Sequence, residues 1–226
     1  HIGYMVFGVA IASDLGLAGA IFYIVHHITI QTSLFLVTGL IEIRGGSTSL
    51  EHLGGLAKAA PVLALMFFLP AMNLSGIPPF SGFLGKVALV QAGVDRAGWL
   101  AYLVVAASIV TSLLTLYAIA KTWNRAFWRP RAEEPDEIGE WVPSTGTKSG
   151  EPWGDSVSVT SVRSLPRAMV APTLTLVALG TALTLVAGPL FGITERAASE
   201  LRDRTPYIQT VLDDGSTPDD AAAVTP

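Results

Sequence analysis

The sequence predicts an all-α, polytopic membrane protein with about four full transmembrane helices, a partial one, and one span that is discontinuous. Three observations carry this. Residues 15–41 and 97–120 contain no Asp, Glu, Lys or Arg, and at about 1.5 Å per residue each stretch exceeds the ~30 Å hydrocarbon core of a bilayer. Half of the chain is hydrophobic, only 14% is charged and the mean hydropathy is +0.51, a balance that a water-facing globular surface does not sustain. A third apolar block, 60–94, is interrupted by Asn73-Leu74-Ser75-Gly76-Ile77-Pro78-Pro79, where two prolines remove two backbone donors and a helix cannot run through.

In chain order, residues 2–12 make about half a span, closed by Ser13-Asp14, and 15–42 make a full one. The chain starts at His1, with no initiator Met and no basic leader region, and is expected to begin inside a helix. A polar, glycine-rich connection leads from Glu42 to Lys58. The block 60–94, broken over 73–82, leaves pieces of roughly 22 and 18 Å, too short to cross comfortably alone, and is read as one broken span. The charges agree with that. One broken span puts Arg44 and Lys58 on the same side as Lys121, Arg125, Arg129, Arg131, Lys148, Arg163 and Arg167, the side that basic loops keep to, which is the cytoplasmic one. Residues 97–120 form the next helix. Residues 129–166, rich in Pro, Gly, Ser and charge, are expected to be a mobile cytoplasmic loop. A final span over 167–194 is followed by a short amphipathic stretch and a polar tail, together 195–226, whose Asp213-Asp214 and Asp219-Asp220 argue for disorder.

Composition excludes several functions. A net charge of −4 points away from nucleic acid, and the acids behind it sit mostly at 133–155 and after Thr194 as solvated charge. The absence of cysteine removes disulfides, thiolate-held zinc, Cys-ligated iron–sulfur clusters and Cys nucleophiles. No P-loop, GxGxxG, HExxH or GxSxG pattern occurs, so neither a cofactor nor catalysis on a small molecule is expected.

What remains are polar residues at membrane depth. Lys86 lies just beyond the break, where a lone lysine costs about 2.5–3.5 kcal/mol on insertion scales; it should face protein or a water-filled cavity, placed to exchange protons. The break itself, with Gly76, Pro78, Pro79 and Gly82, frees backbone groups that an ion or a water chain can use. The alternative use of Lys86 is to pair with a carboxylate on a neighbouring helix and hold an assembly together. His26 and His27 sit near the middle of 15–42 and point about 100° apart. Imidazole passes protons near neutral pH, but each ring could equally bond a carbonyl or hydroxyl of another helix. Gln31 and Thr32 could extend a polar path or simply bond neighbouring helices. The four histidines show no metal-ligand spacing on one face, so no metal is expected. Together these residues imply movement of protons or another cation through the bilayer, with the aromatic residues read as packing and interface anchors.

The stretches HIGYMVFGVA (1–10), FYIVHHITIQTSLFLVTGLIE (22–42) and GGLAKAAPVLALMFFLPAMNLSGIPPFSGFLGKVALVQAG (54–93) resemble the antiporter-like subunits shared by respiratory complex I, membrane-bound hydrogenases and the Mrp-type multisubunit sodium/proton antiporters. Within that family LSGIPPFSGFLGK and LVQAG resemble the D-type Mrp subunits. The resemblance covers residues 1–128 and, by position only, the final helix. It implies a fourteen-helix subunit of two inverted repeats, each with a discontinuous helix, of which this chain is the end of the second. The half-span 2–12 would belong to the tenth helix and the broken span would be the twelfth. Lys86 then matches the lysine that the family carries on its second discontinuous helix, and His27 the histidine of a His-x-x-x-Lys pattern whose lysine is here Gln31. The resemblance further implies other subunits of a membrane complex as partners, protons and sodium or another monovalent cation as cargo, and a bacterial plasma membrane as the setting. A subunit of a redox-driven proton pump and a non-transporting scaffold are the alternatives; the first differs in its partners, the second in tolerating loss of Lys86.

Overall fold

The structure is a computed structural model that describes residues 1–130, 165–203 and 205–212. Every regular element among them is helical: α1 (Ile2–Ile11), α2 (Asp14–Gly45), α3 (Leu56–Ala59), α4 (Pro61–Ser75), α5 (Ser81–Arg96), α6 (Trp99–Trp123) with a π-helical turn Asn124–Trp128, α7 (Arg167–Leu185), α8 (Ala187–Arg202) and α9 (Thr205–Leu212). Three of them, α2, α6 with its π turn, and α7, are long and apolar enough to cross a membrane. The expected loop 129–166 lies outside the described residues over 131–164, as does the tail beyond Leu212.

α2 is the spine, packed against α1, α4, α5, α7 and α8. Its 32 residues span about 48 Å at about 1.5 Å per residue. The Ser13 side chain starts it by accepting the Gly16 N–H at 3.0 Å, with Asp14 in the first turn, where a negative charge meets the positive end of the helix dipole. Gly46, at φ 74°, stops it by donating its N–H to the Glu42 carbonyl at 2.8 Å. α1 docks where Gly8 and Gly16 face each other. A Cβ on Gly8 would sit 2.6 Å from the Gly16 carbonyl oxygen, and one on Gly16 2.8 Å from that of Gly8, so these backbones meet only because both residues lack side chains.

The apolar block 60–94 divides into α4 and α5, with helix lost only over residues 76–80. The interruption is narrower than the 73–82 expected from sequence. A proline restricts itself and the residue before it, which leaves Asn73–Ser75 free to finish α4 and Ser81–Gly82 free to begin α5. Gly76 closes α4 at φ 77° and donates its N–H to the Asn73 carbonyl.

α7 and α8 run antiparallel to α2 along its length. Val177 packs in one cluster with Val37 and Leu40, Phe191 meets Phe22 at a ring separation of 5.6 Å, and Arg202 pairs with Asp14 at 2.7 Å. The expected final span 167–194 is thus α7 plus the start of α8, divided at Val186. The tail expected to be disordered from 195 is helical as far as Arg202 and again over Thr205–Leu212. The reason is visible in α8: Ala187, Thr194 and Ala198 are buried at helical spacing, while Glu195, Arg196 and Glu200 face outward, an amphipathic pattern that rests on α2. Two apolar clusters flank the middle of the bundle, one around Val37, Leu63, Phe67 and Phe127 and the other around Tyr4, Phe7, Tyr23 and Leu89.

Candidate functional site

Breaking a helix inside a bilayer creates two bad ends, because the last carbonyls of α4 and the first N–H groups of α5 lose their partners where no bulk water can replace them. The structure answers each end with a side chain from across the break. Lys86 of α5 reaches back, and its Nζ donates to the Leu74 carbonyl at 3.2 Å and the Ser75 carbonyl at 3.0 Å. An ammonium at the C-terminal end of a half-helix also meets the negative end of its dipole. Conversely, Asn73 of α4 accepts the Gly82 N–H on Oδ1 at 3.1 Å, and Thr184 of α7 accepts the Ser81 N–H on Oγ1 at 3.1 Å. Lys86 is 6% exposed, and the ring of Tyr4 lies below its ammonium at 5.4 Å to the centroid, a cation–π contact. Its partners among the described residues are carbonyls and an aromatic face rather than a carboxylate.

His26 and His27 face different surroundings. His26, 1% exposed, places Nδ1 3.0 Å from Ser81 Oγ; Ser81 Oγ donates to Asn73 Oδ1 at 3.1 Å, and Asn73 Nδ2 donates to the Gly180 carbonyl at 3.2 Å. This string joins α2, the break and α7. His27 stacks on His1 at 5.0 Å between ring centroids, beside Tyr23, whose hydroxyl lies 2.6 Å from His1 Nδ1. Tyr23 in turn lies 5.4 Å from both the Tyr4 and the His26 rings. The Tyr4 hydroxyl donates to the Ser108 carbonyl and lies 2.7 Å from Ser112 Oγ, both on α6. Among the described residues, two buried ring nitrogens are left without a hydrogen-bond partner, His26 Nε2 and His27 Nδ1.

Of the residues singled out from sequence, Lys86, His26, Gly76 and Gly82 meet at the break, and His27 lies one step away across Tyr23. Gly76 sits against Lys86, where an added Cβ would be 3.1 Å from Nζ; Gly82 sits against His26, where a Cβ would be 2.9 Å from Nε2. Pro78 and Pro79 are exposed on the connection. Gln31 and Thr32 do not join the hydrogen-bonded cluster: Gln31 is half-buried one turn along α2 from His27, and Thr32, a further 100° or so around the helix, is exposed. Sequence reasoning missed Asn73, Ser81, Thr184, Tyr4 and Tyr23. For Asn73 the signal was present, since an amide inside an apolar helix raises the same question that picked out Lys86. Tyr23 and Tyr4 read as packing because nothing in a sequence shows which way a phenol points.

A family model described as NADH:quinone oxidoreductase/Mrp antiporter, transmembrane, matches residues 1–115, the stretch that holds α1, α2, the break and Lys86. The chain belongs to this family. A relative from Alkalihalophilus pseudofirmus, named as the D-type subunit of a Na(+)/H(+) antiporter, is 35% identical over 212 residues, 94% of this chain and 38% of the relative. One of the same name from Bacillus subtilis is 37% identical over 134 residues, 59% of this chain and 27% of the relative. Among solved structures, that of the Mrp complex from Dietzia sp. superposes with a TM-score of 0.74 at 36% identity, covering 93% of this chain and 42% of that one. The chain therefore spans about two fifths of the relatives it matches along most of its length. Family and structure agree on an antiporter-like, multi-pass membrane fold built of helices.

Proposed function

We propose that this chain is part of the proton-conducting membrane subunit of a multisubunit sodium/proton antiporter, a transporter subunit and not an enzyme, in a bacterial plasma membrane. The observation that carries the reading is the buried Lys86 ammonium, held by the two carbonyls that the break sets free. A structural charge at that depth would be expected to pair with a carboxylate; this one is held by a helix end whose dipole attracts a positive charge. Loss of the proton removes most of that attraction, which lets the amine leave its carbonyls and take a proton from another side. His27 and His26 lie near enough, through Tyr23 and Tyr4, to exchange protons with that point by way of ordered water. Gln31 stands where the resembling pattern has a lysine and gives no titratable link, so in this reading ordered water bridges the gap to His27, and His26 exchanges protons beside it. The names of the two relatives and of the solved complex support an antiporter, with the other subunits of that complex as partners and a monovalent cation as the exchanged ion.

The test is cation-dependent proton movement in everted vesicles from cells that express the full-length protein with its partner subunits, wild type against Lys86→Ala at matched membrane levels. A response to added sodium in wild type and none in the variant is the expected result. A retained response in Lys86→Ala removes the lysine from the path, and tolerance of Lys86→Met points to the scaffold. A membrane energised only by quinone-linked electron transfer replaces antiport with the redox-driven reading.

A further inference from the structure

The hydrogen-bond string behind His26 has a direction, and the direction can be read without placing a single hydrogen on the imidazole. Asn73 fixes it. Its Oδ1 faces the Gly82 backbone N–H, which can only donate, and its Nδ2 faces the Gly180 carbonyl, which can only accept, so the amide has one orientation. Ser81 Oγ lies 3.1 Å from that same Oδ1. Two acceptors would repel at this distance, so the single hydroxyl proton of Ser81 points at Asn73. Ser81 then has only lone pairs to offer His26 Nδ1 at 3.0 Å, and the nitrogen that faces it must carry the ring proton. Neutral imidazole holds one ring proton. Nε2 is therefore a bare lone pair, and it is one of the two buried ring nitrogens that have no partner among the described residues.

We propose that Ser81 and Asn73 are positioning residues that lock His26 in its Nδ1–H form and make it a one-sided proton acceptor, open at Nε2 and closed at Nδ1. A hydronium reaching Nε2, or a water that is itself reprotonated by another acid of the cluster, gives its proton there and leaves an imidazolium and a water. That proton cannot leave by the other side, because the string from Nδ1 runs through Ser81 into the amide oxygen of Asn73 and ends at a backbone carbonyl, none of which passes a proton onward. It must return from Nε2. His26 is thus a side store next to the route rather than a link in it, which separates its role from that of His27, whose ring stacks among His1 and Tyr23 with no such anchor. The groups that face His26 from the packed elements are Tyr23 and His27 on α2, Asn73 on α4, and Ser81, Gly82 and Lys86 on α5. Gly82 is what keeps Nε2 open, since a Cβ there would sit 2.9 Å away. The storage role rests on the transport reading above, whereas the tautomer stands on geometry alone.

The experiment is nitrogen-15 solid-state NMR of histidine-labelled full-length protein, in lipid vesicles with its partner subunits and at alkaline pH, with His26→Gln to assign the signals. Free histidine favours the proton on Nε2, so the expected result is unusual: a protonated Nδ1 and an unprotonated, pyridine-type Nε2 at His26. Ser81→Ala is expected to abolish the pyridine-type Nε2 signal or split it between two forms, and Ser81→Thr, which keeps a hydroxyl, is expected to restore it. A wild-type His26 protonated at Nε2 overturns the proposal, and that outcome needs no variant to fold. An Nδ1–H form that persists in Ser81→Ala removes Ser81 and Asn73 from the role. If the vesicles show no cation-dependent proton movement, the antiport reading falls while the tautomer result stands on its own.

Discussion

The broken helix α4–α5 and the continuous helix α6 are both apolar, and both carry Ser or Thr at membrane depth, yet they use most of their polar side chains differently; Ser75, which donates to the Ala71 carbonyl at 2.8 Å, is the one at the break that behaves like those of α6. Along α6 most hydroxyls turn inward, Ser112 beside the Tyr4 hydroxyl of α1 being the exception. Ser108 donates to the Val105 carbonyl, Thr111 to Ala107, Thr115 to Thr111 and Thr122 to Ala118, at 2.7–3.0 Å. With every backbone group already paired along the helix, a hydroxyl has little to gain elsewhere, and α6 buries only Val105 within the described residues. At the break the backbone itself is short of partners, so polar side chains are drawn across from other helices: Lys86 to the end of α4, Asn73 and Thr184 to the start of α5, and Ser81 between Asn73 and His26. Polarity in a membrane helix thus becomes a site where the hydrogen-bond ladder is interrupted.

Substitutions at the break should therefore cost far more than substitutions on α6. The largest effect is expected for Lys86→Ala, which removes both the charge and the donor for Leu74 and Ser75; cation-dependent proton movement should fall by about 100-fold or more if the amine carries protons. Gly82→Ala comes next. Its Cβ would collide with the Asn73 carbonyl oxygen and crowd His26 Nε2, so overpacking of about 1–3 kcal/mol is expected, seen as a lower unfolding temperature in detergent together with lost transport. Asn73→Leu should be comparable in stability. It keeps the volume but leaves Gly82 N–H, Ser81 Oγ and the Gly180 carbonyl each one partner short, and one buried unsatisfied group costs about 1–3 kcal/mol. An Asn73→Leu protein as stable as wild type would mean that water replaces the amide and that the break is wetter than its packing suggests.

How much of this was legible beforehand differs between the same two regions. The apolar length of α6 and the uncharged run of α2 are composition, which a sequence states directly, and Pro78-Pro79 announces a break. The limits of that break needed the local rule that proline restricts only its own and the preceding residue, which is why Asn73 and Ser81 are helical. Lys86 was legible because a charge in an apolar run is costly wherever it points. Its partners were not, since Leu74 and Ser75 act through carbonyls that every residue has. Gln31 shows the limit from the other side: its spacing from His27 was right for one stripe of α2, with Thr32 a further 100° or so around, but which side of that stripe meets α5 depends on helix rotation, which the sequence does not specify. The helical segment after 195 was readable in part, as a short amphipathic stretch after the last span; how far it runs depends on α2, on which Ala187, Thr194 and Ala198 rest.

The smallest effect is expected on α6, and it is the one that tests the comparison itself. Thr115→Val removes a hydroxyl whose bond, to the Thr111 carbonyl at 2.9 Å, adds a second donor to a carbonyl that the helix ladder already engages. The isosteric methyl keeps the shape, and no buried group is left bare. Stability should change by no more than about 0.5 kcal/mol, and proton movement in vesicles should match wild type at equal expression. If Thr115→Val instead lowered transport as Asn73→Leu is expected to, the hydroxyls of α6 would belong to the path. The entry to that path would be where Tyr4 already touches Ser108 and Ser112, and the polar route would then run along a continuous helix as well as through the broken one.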